Sequence, residues 1–268
     1  MVAIMIIVGF SIAEITELSS SLNQNSIVDA NVFGLFQGEV ALDNGHKLKD
    51  LLETILAKKG LNPDITLGEL YETTQKSLEV VVTDLNMGSV IYVSEKNYPN
   101  FSVVSAALAS MAFPGAFPPI KSPDGTLWAD GAILDVYPIS KFDATCVLGF
   151  SFLHASVHSQ DTDLTNFFGI LSRSYHLLSR PQVYISWTSM SQEHRRKTIL
   201  IDVGYATTFS VGNMGQDERE NLLNAGKEAV LLKSKEWRIV DEVGDFEDKN
   251  PYENFEVSLP IYLKRIFK

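Results

Sequence analysis

Amphipathic helical segments alternate along this chain with short apolar runs rich in β-branched residues, and this pattern constrains the fold most. Residues 46–59 repeat Leu and Ile at i, i+3, i+4 and i+7, the spacing of one buried helix face, before the stop signals Gly60 and Pro63. The runs 78–85 and 89–94 flank an Asn-Met-Gly turn, which predicts a β-hairpin. Such alternation is typical of an α/β domain.

The same kinds of signal place the remaining elements. Ser11 with Glu14, and Thr66 with Glu69, match the capping box that begins a helix. Residues 151–196 show the least regular pattern, and we interpret them as an insertion or cap within a single domain that spans residues 1–268. The other predicted elements are a helix over 102–112, strands over 127–129, 145–150 and 198–203, and a long helix over 217–235.

The net charge of −11, from 22 basic and 33 acidic side chains, excludes several partners. A chain this acidic gains no counterion release on DNA or RNA, so we expect no nucleic-acid binding. Attraction to anionic lipid heads is also expected to be weak, apart from a local patch at Arg195, Arg196 and Lys197. The single cysteine, Cys146, rules out an internal disulfide, and we predict that it is a small buried residue of the 145–150 strand.

The first ten residues are almost wholly apolar, and no Lys or Arg occurs before Lys47. The run is too short to span a bilayer, which takes about 20 residues, and it lacks the basic residues that begin a signal peptide. We therefore predict a cytoplasmic protein, or one peripheral at membranes, whose first residues form a helix buried on all sides. A chain that opens in the middle of a core is expected to lack an upstream segment, so the sequence is interpreted as N-terminally truncated.

Five segments, taken in chain order, carry a recognisable set of motifs. They are GFSIAEITEL at 9–18, VVVTDLNMGSVIYVSE at 80–95, SVVSAALASMAFPGAFPPI at 102–120, WADGAILDVYPI at 128–139 and IDVGYATTFSVGNMGQDERENLLNAGKEAV at 201–230. In this order they resemble the patatin-like phospholipases, a family of lipid acyl hydrolases. The family's Asp-Gly-Ala/Gly signature falls at Asp130, Gly131 and Ala132, with Pro138 in the expected following position. The resemblance implies a three-layer α/β fold with helices on both faces of a mostly parallel sheet.

The resemblance also implies a chemistry, in which a Ser–Asp dyad hydrolyses a fatty-acyl ester or a phospholipid without a metal or a cofactor. In this family a serine in a Gly-x-Ser-x-Gly elbow is the nucleophile, and an aspartate takes its proton. Asp130 would be that proton acceptor, and Gly131 would let the backbone approach closely. Because an ordinary aspartate has a pKa of about 3.9, the site must raise that pKa or hold the two groups at hydrogen-bond distance.

The nucleophile of this dyad has no counterpart in the sequence, which contains no Gly-x-Ser-x-Gly and no glycine-rich oxyanion loop. The two nearest matches, around Ser11 and Ser151, lack the second glycine, and we interpret them as a helix N-cap and the end of a strand. Ser105 and Ser110 lie within a predicted helix. We expect the serine to lie shortly before Met1, and the chain alone to be inactive.

Two other functions are compatible with the sequence. One is an inactive relative that keeps the fold and binds a lipid or a protein; the intact Asp130 favours the hydrolase over this alternative. The other is a metal protein built on the histidines of the 151–196 segment, which are His154, His158, His176 and His194.

Two kinds of contact surface are also predicted. A missing first strand would leave an open sheet edge, and unpaired backbone groups there would favour self-association. Peripheral membrane contact is expected at aromatic and apolar residues of the proline-rich loop and the insertion, which are equally well interpreted as core residues. They are Phe113, Phe117, Phe167, Phe168 and Leu171.

Overall fold

The computed structural model describes residues 1–22, 40–153, 170, 173–174, 182–203 and 216–243. The chain forms two compact units, Met1–Asp135 and Val136–Lys268. The single domain stays a prediction, and so does the insertion, because most of residues 151–196 lie outside the described residues.

Over its described residues, the first unit combines five α-helices with a four-stranded sheet. The sheet has the order β2-β1-β4-β3, and each neighbouring pair of strands is antiparallel. Side chains of Ser11 and Thr66 accept from the backbone N–H groups of Glu14 and Glu69, so both predicted capping boxes are confirmed. The elements are α1 (Val2–Ile7), α2 (Ile12–Ser21), α3 (His46–Lys58), α4 (Leu67–Thr74), β1 (Val80–Asp84), β2 (Ser89–Val93), α5 (Val103–Ser110), β3 (Ile120–Lys121) and β4 (Leu127–Asp130).

Residues of the sheet and of helices α1, α3, α4 and α5 form the core of this unit. Leu52, Ile55 and Leu56 give α3 the buried face that its spacing predicts. Helix α5 contacts β1 and β4, and its small residues let it lie close to the sheet. Trp128 of β4 is fully buried and makes edge-to-face contacts with Tyr98 and Phe101. These contacts fix β4, the strand that ends at Asp130.

Helix α1 corrects the prediction of a helix buried on all sides. Ile4 and Met5 pack into the core, but Val2 and Ile6 are 49% and 56% exposed. Side chains leave an α-helix in every direction, so a helix that packs on one face exposes the residues of the other. Helix α1 is therefore buried on one face only, and its opposite face exposes apolar side chains.

The second unit contains a parallel pair of strands, β5 (Gly149–Leu153) and β6 (Thr198–Asp202). Residues 182–189 form α6, followed by α7 (Gln192–Arg196) and α8 (Gln216–Val243), which packs against β6. A small core joins the partly buried Leu200 of β6 to buried residues Ile139, Trp187 and Met190.

The mixed α/β class is therefore confirmed, whereas the parallel sheet is shown only in part, by β5 and β6. The strand predicted over 145–150 begins at Gly149 instead, and Cys146 is exposed, so its predicted burial is wrong. The reason is local, because the Asp143 carboxylate accepts from the N–H and hydroxyl of Thr145 at 2.9 and 2.7 Å and stabilises a turn. In the described part of the chain, no helix is long and apolar enough to cross a membrane.

Candidate catalytic site

Strand β4 ends at Asp130, and hydrogen bonds from two other elements hold the main chain there. The Asp130 N–H donates to the carbonyl of Ala112, just beyond α5, at 3.1 Å. The hydroxyl of the buried Thr83, on β1, donates to the Asp130 carbonyl at 3.0 Å. The backbone of Asp130 is therefore fixed between the sheet and the end of α5.

The Asp130 carboxylate is mostly buried, and the backbone that follows it supplies a hydrogen-bond donor. Its Oδ1 accepts from the N–H of Ala132 at 2.9 Å, and in this way it caps a short 3₁₀ helix, Gly131–Ile133. Burial raises the pKa of Asp130, and the hydrogen bond from Ala132 opposes that rise. A carboxylate with a raised pKa is a stronger base than an exposed one, which is what proton abstraction from a hydroxyl requires.

Tyr92 and Asp135 form a side-chain contact next to the turn that follows Asp130, and the sequence analysis did not predict it. The Tyr92 hydroxyl donates to Asp135 Oδ2 at 2.6 Å. Burial, together with this hydrogen bond, raises the pKa of Tyr92 to about 12, so the phenol stays protonated at ordinary pH. The two residues are 43 positions apart, and neither belongs to a spacing pattern that could have revealed the contact.

The serines weighed as nucleophiles lie elsewhere. Ser11 is the N-cap of α2, as predicted, with its hydroxyl 3.3 Å from the N–H of Glu14. Ser151 lies within β5 rather than at its end, and Ser105 and Ser110 lie within α5. Among the residues the structure describes, none of these serines lies in a strand-to-helix elbow.

The other candidate residues are placed as follows. Phe113 is buried and Phe117 is half-buried, so the proline-rich loop presents little of Phe113 to a lipid surface. His194 Nε2 donates to the Phe142 carbonyl at 2.8 Å, and His194 Nδ1 forms a hydrogen bond of 2.8 Å with the Ser191 hydroxyl. The described ranges hold no group of three His, Cys, Asp or Glu side chains suited to a metal ion. Six further candidate residues lie outside the described ranges, so their predicted roles stay predictions. They are His154, His158, Phe167, Phe168, Leu171 and His176.

Comparison with known proteins assigns the family. The family model for patatin-like phospholipases matches residues 1–143, which is more than half of the 268 residues. The chain belongs to the patatin-like phospholipase family. The matched region contains β4, Asp130 and the turn that follows.

Two other proteins are similar to this chain, and neither assigns it an activity. R571 of Acanthamoeba polyphaga mimivirus, described as uncharacterized, is 23% identical over 238 residues, which cover 85% of this chain and 77% of that protein. The crystal structure of VipD from Legionella pneumophila aligns with a TM-score of 0.43 and 21% identity over 65% of this chain. This chain spans 36% of the VipD chain, and the likeness at that TM-score adds nothing to the family assignment.

Proposed function

We propose that this protein is a lipid acyl hydrolase in which Asp130 is the general base of a Ser–Asp dyad. The observation that carries the proposal is the carboxylate itself. It is mostly buried, its pKa is raised by burial, and it stands at the end of a strand whose backbone is held on both sides. The substrate class is a fatty-acyl ester or a phospholipid, as expected for the family.

In the proposed reaction Asp130 accepts the proton of a serine hydroxyl while that oxygen attacks the ester carbonyl. The protonated Asp130 then donates to the departing alcohol, and the C–O bond to that alcohol breaks. Water attacks the acyl-serine in the second half-reaction, gives its proton to Asp130, and releases the carboxylic acid as serine regains its proton. The N–H of Ala132 steadies the carboxylate throughout, since it donates to Asp130 Oδ1.

We place the nucleophile and the oxyanion donors in a segment outside residues 1–268, because no Gly-x-Ser-x-Gly occurs within them. A chain that supplies only the base lacks the covalent route and the donors that stabilise the oxyanion. Residues 1–268 alone are then expected to give no measurable ester hydrolysis.

Hydrolysis of a short-chain p-nitrophenyl ester tests this with four proteins. They are residues 1–268, the same chain joined in frame to an upstream segment with a glycine-rich loop and Gly-x-Ser-x-Gly, and that longer chain with Asp130→Asn or with Asp64→Asn. The longer chain should hydrolyse the ester, and Asp130→Asn should abolish hydrolysis because the asparagine amide cannot accept the serine proton. Asp64 is exposed, so Asp64→Asn should leave the rate of hydrolysis unchanged. Clear turnover by residues 1–268 that survives Asp130→Asn would refute the proposal.

A second candidate function, binding without hydrolysis, is favoured by the outward side chains of β5. Phe150 and Phe152 are both more than half exposed. With a net charge of −11, adsorption to lipid would be hydrophobic and weakly dependent on salt. This function would be favoured if the chain bound zwitterionic vesicles and the longer chain hydrolysed no ester. Loss of vesicle binding at moderate salt would contradict hydrophobic adsorption.

A further inference from the structure

The turn that follows Asp130 is held against the β1–β2 hairpin at two points. Gly131 packs directly against the main chain of Val81 on β1. Val81 is the register partner of Tyr92 on β2, and Tyr92 donates to Asp135 at 2.6 Å. The turn is also closed within itself, because the Asp135 N–H donates to the Gly131 carbonyl at 2.9 Å.

We propose that Tyr92 and Asp135 form a positioning pair that holds the 131–135 turn on the hairpin and so keeps the Asp130 carboxylate in its buried, Ala132-bonded geometry. The proposal rests on the assignment of Asp130 as the base. Tyr92 and Asp135 take no part in the chemistry in this account, and they act only through the turn.

The geometry explains why one side-chain bond has this effect. Val81 and Tyr92 are directly opposite each other in an antiparallel pair, so their side chains share one face of the sheet. A shift of the turn away from β1 separates Gly131 from Val81 and must also break the bond between Tyr92 and Asp135. The charged groups that act on the phenol are Asp135 and Glu79, both acidic, and they favour the protonated donor form.

The first test follows the Asp130 carboxyl in the full chain by NMR. The Ala132 N–H donates to Asp130 Oδ1, so its chemical shift should report protonation of that carboxyl. In Tyr92→Phe a looser turn admits water, and the midpoint of this titration should fall to lower pH, since burial is the main cause of the raised pKa. Tyr98→Phe is the matched control, because it removes another Tyr–Asp contact, to Asp124 at 3.5 Å, in the same unit.

The second test uses amide hydrogen exchange and separates position from charge. Asp135→Ala removes the acceptor, and exchange of the Ala132 and Asp135 amides should accelerate about tenfold. Asp135→Asn keeps an acceptor for Tyr92 and should restore protection. The Met87 amide, which donates to Asp84 at the far end of the hairpin, should be unchanged in every variant.

Two results would overturn the positioning role. One is an Ala132 titration that is the same in Tyr92→Phe as in the wild-type chain. The other is an Asp135→Asn variant as unprotected as Asp135→Ala, which would assign the effect to charge. Neither measurement depends on turnover, so failure of this inference is distinguishable from failure of the proposed function, which is decided by ester hydrolysis in the longer chain.

Discussion

Gly131 lies against Val81 so closely that a Cβ atom at position 131 would stand 2.4 Å from the Val81 carbonyl oxygen and 2.6 Å from the carbonyl carbon. Both neighbours are backbone atoms of β1, which cannot swing aside as a side chain can. Gly131→Ala must therefore shift the strand or the turn, and we expect a loss of about 1–3 kcal/mol of folding free energy, measured by urea unfolding.

The control for that substitution is Gly226, in the middle of α8, where an added Cβ would meet nothing within 4 Å. Gly226→Ala should stabilise the chain by up to about 1 kcal/mol, because alanine favours the helix over glycine. Equal stability of the Gly131→Ala chain and the wild-type chain would show that the Gly131–Val81 contact is looser than the structure has it.

Asp130→Asn is expected to stabilise the protein at neutral pH. The pKa of Asp130 is higher in the folded chain than in the unfolded chain. The contribution of Asp130 to the stability of the fold is therefore greatest below the unfolded pKa, and it is lost as the pH rises through the folded pKa. Asparagine avoids the buried charge and can still accept from Ala132. The thermal midpoint should rise by about 2–4 °C at pH 7 and be unchanged at pH 3, measured by scanning calorimetry. A gain of the same size at pH 3 would contradict the electrostatic cause.

Thr66→Ala should remove the N-cap of α4. The Thr66 hydroxyl accepts from the Glu69 N–H at 3.2 Å, and the Glu69 carboxylate accepts from the Thr66 N–H at 2.9 Å. Without the hydroxyl we expect a loss of about 1 kcal/mol in urea unfolding. Thr66→Ser keeps the acceptor and should retain most of that stability; an equal loss in both variants would point to the methyl group instead.

Self-association is expected through the apolar side of β5. Leu148, Phe150 and Phe152 alternate along this segment and are 52%, 54% and 62% exposed. Exposed apolar side chains on a strand favour contact with a second copy of the chain, since such contact removes them from water. Sedimentation velocity should show association of the wild-type chain and less of it in a chain with Phe150→Lys and Phe152→Lys.

The matched control replaces an exposed apolar residue on α2. Ile12 is 84% exposed and lies in the first unit, so Ile12→Lys should leave association unchanged. A wild-type chain that sediments as a clean monomer would contradict the prediction.

Local structure was largely predictable because short-range signals decide it. The apolar spacing of α3, the capping boxes of α2 and α4, and the Asn-Met-Gly turn of the β1–β2 hairpin all act within a few residues. The start of β5 was misplaced because a turn at Asp143 competes with strand pairing, and an apolar pattern cannot rank the two. Burial of α1 was overestimated because composition reports apolarity but not which face has a neighbour.

The sequence by itself determined helices α1 to α5 and α8, the hairpin, the family and the position of Asp130, but not the short helices α6 and α7. Each of the predicted features depends on residues that are close in the chain or on an ordered set of motifs. Only the tertiary structure decided what surrounds that carboxylate. Two contacts beside the carboxylate join residues about 40–50 positions apart in the chain. They are the close packing of Gly131 on Val81 and the hydrogen bond from Tyr92 to Asp135. Such contacts arise from the packing of whole strands, which no local pattern encodes.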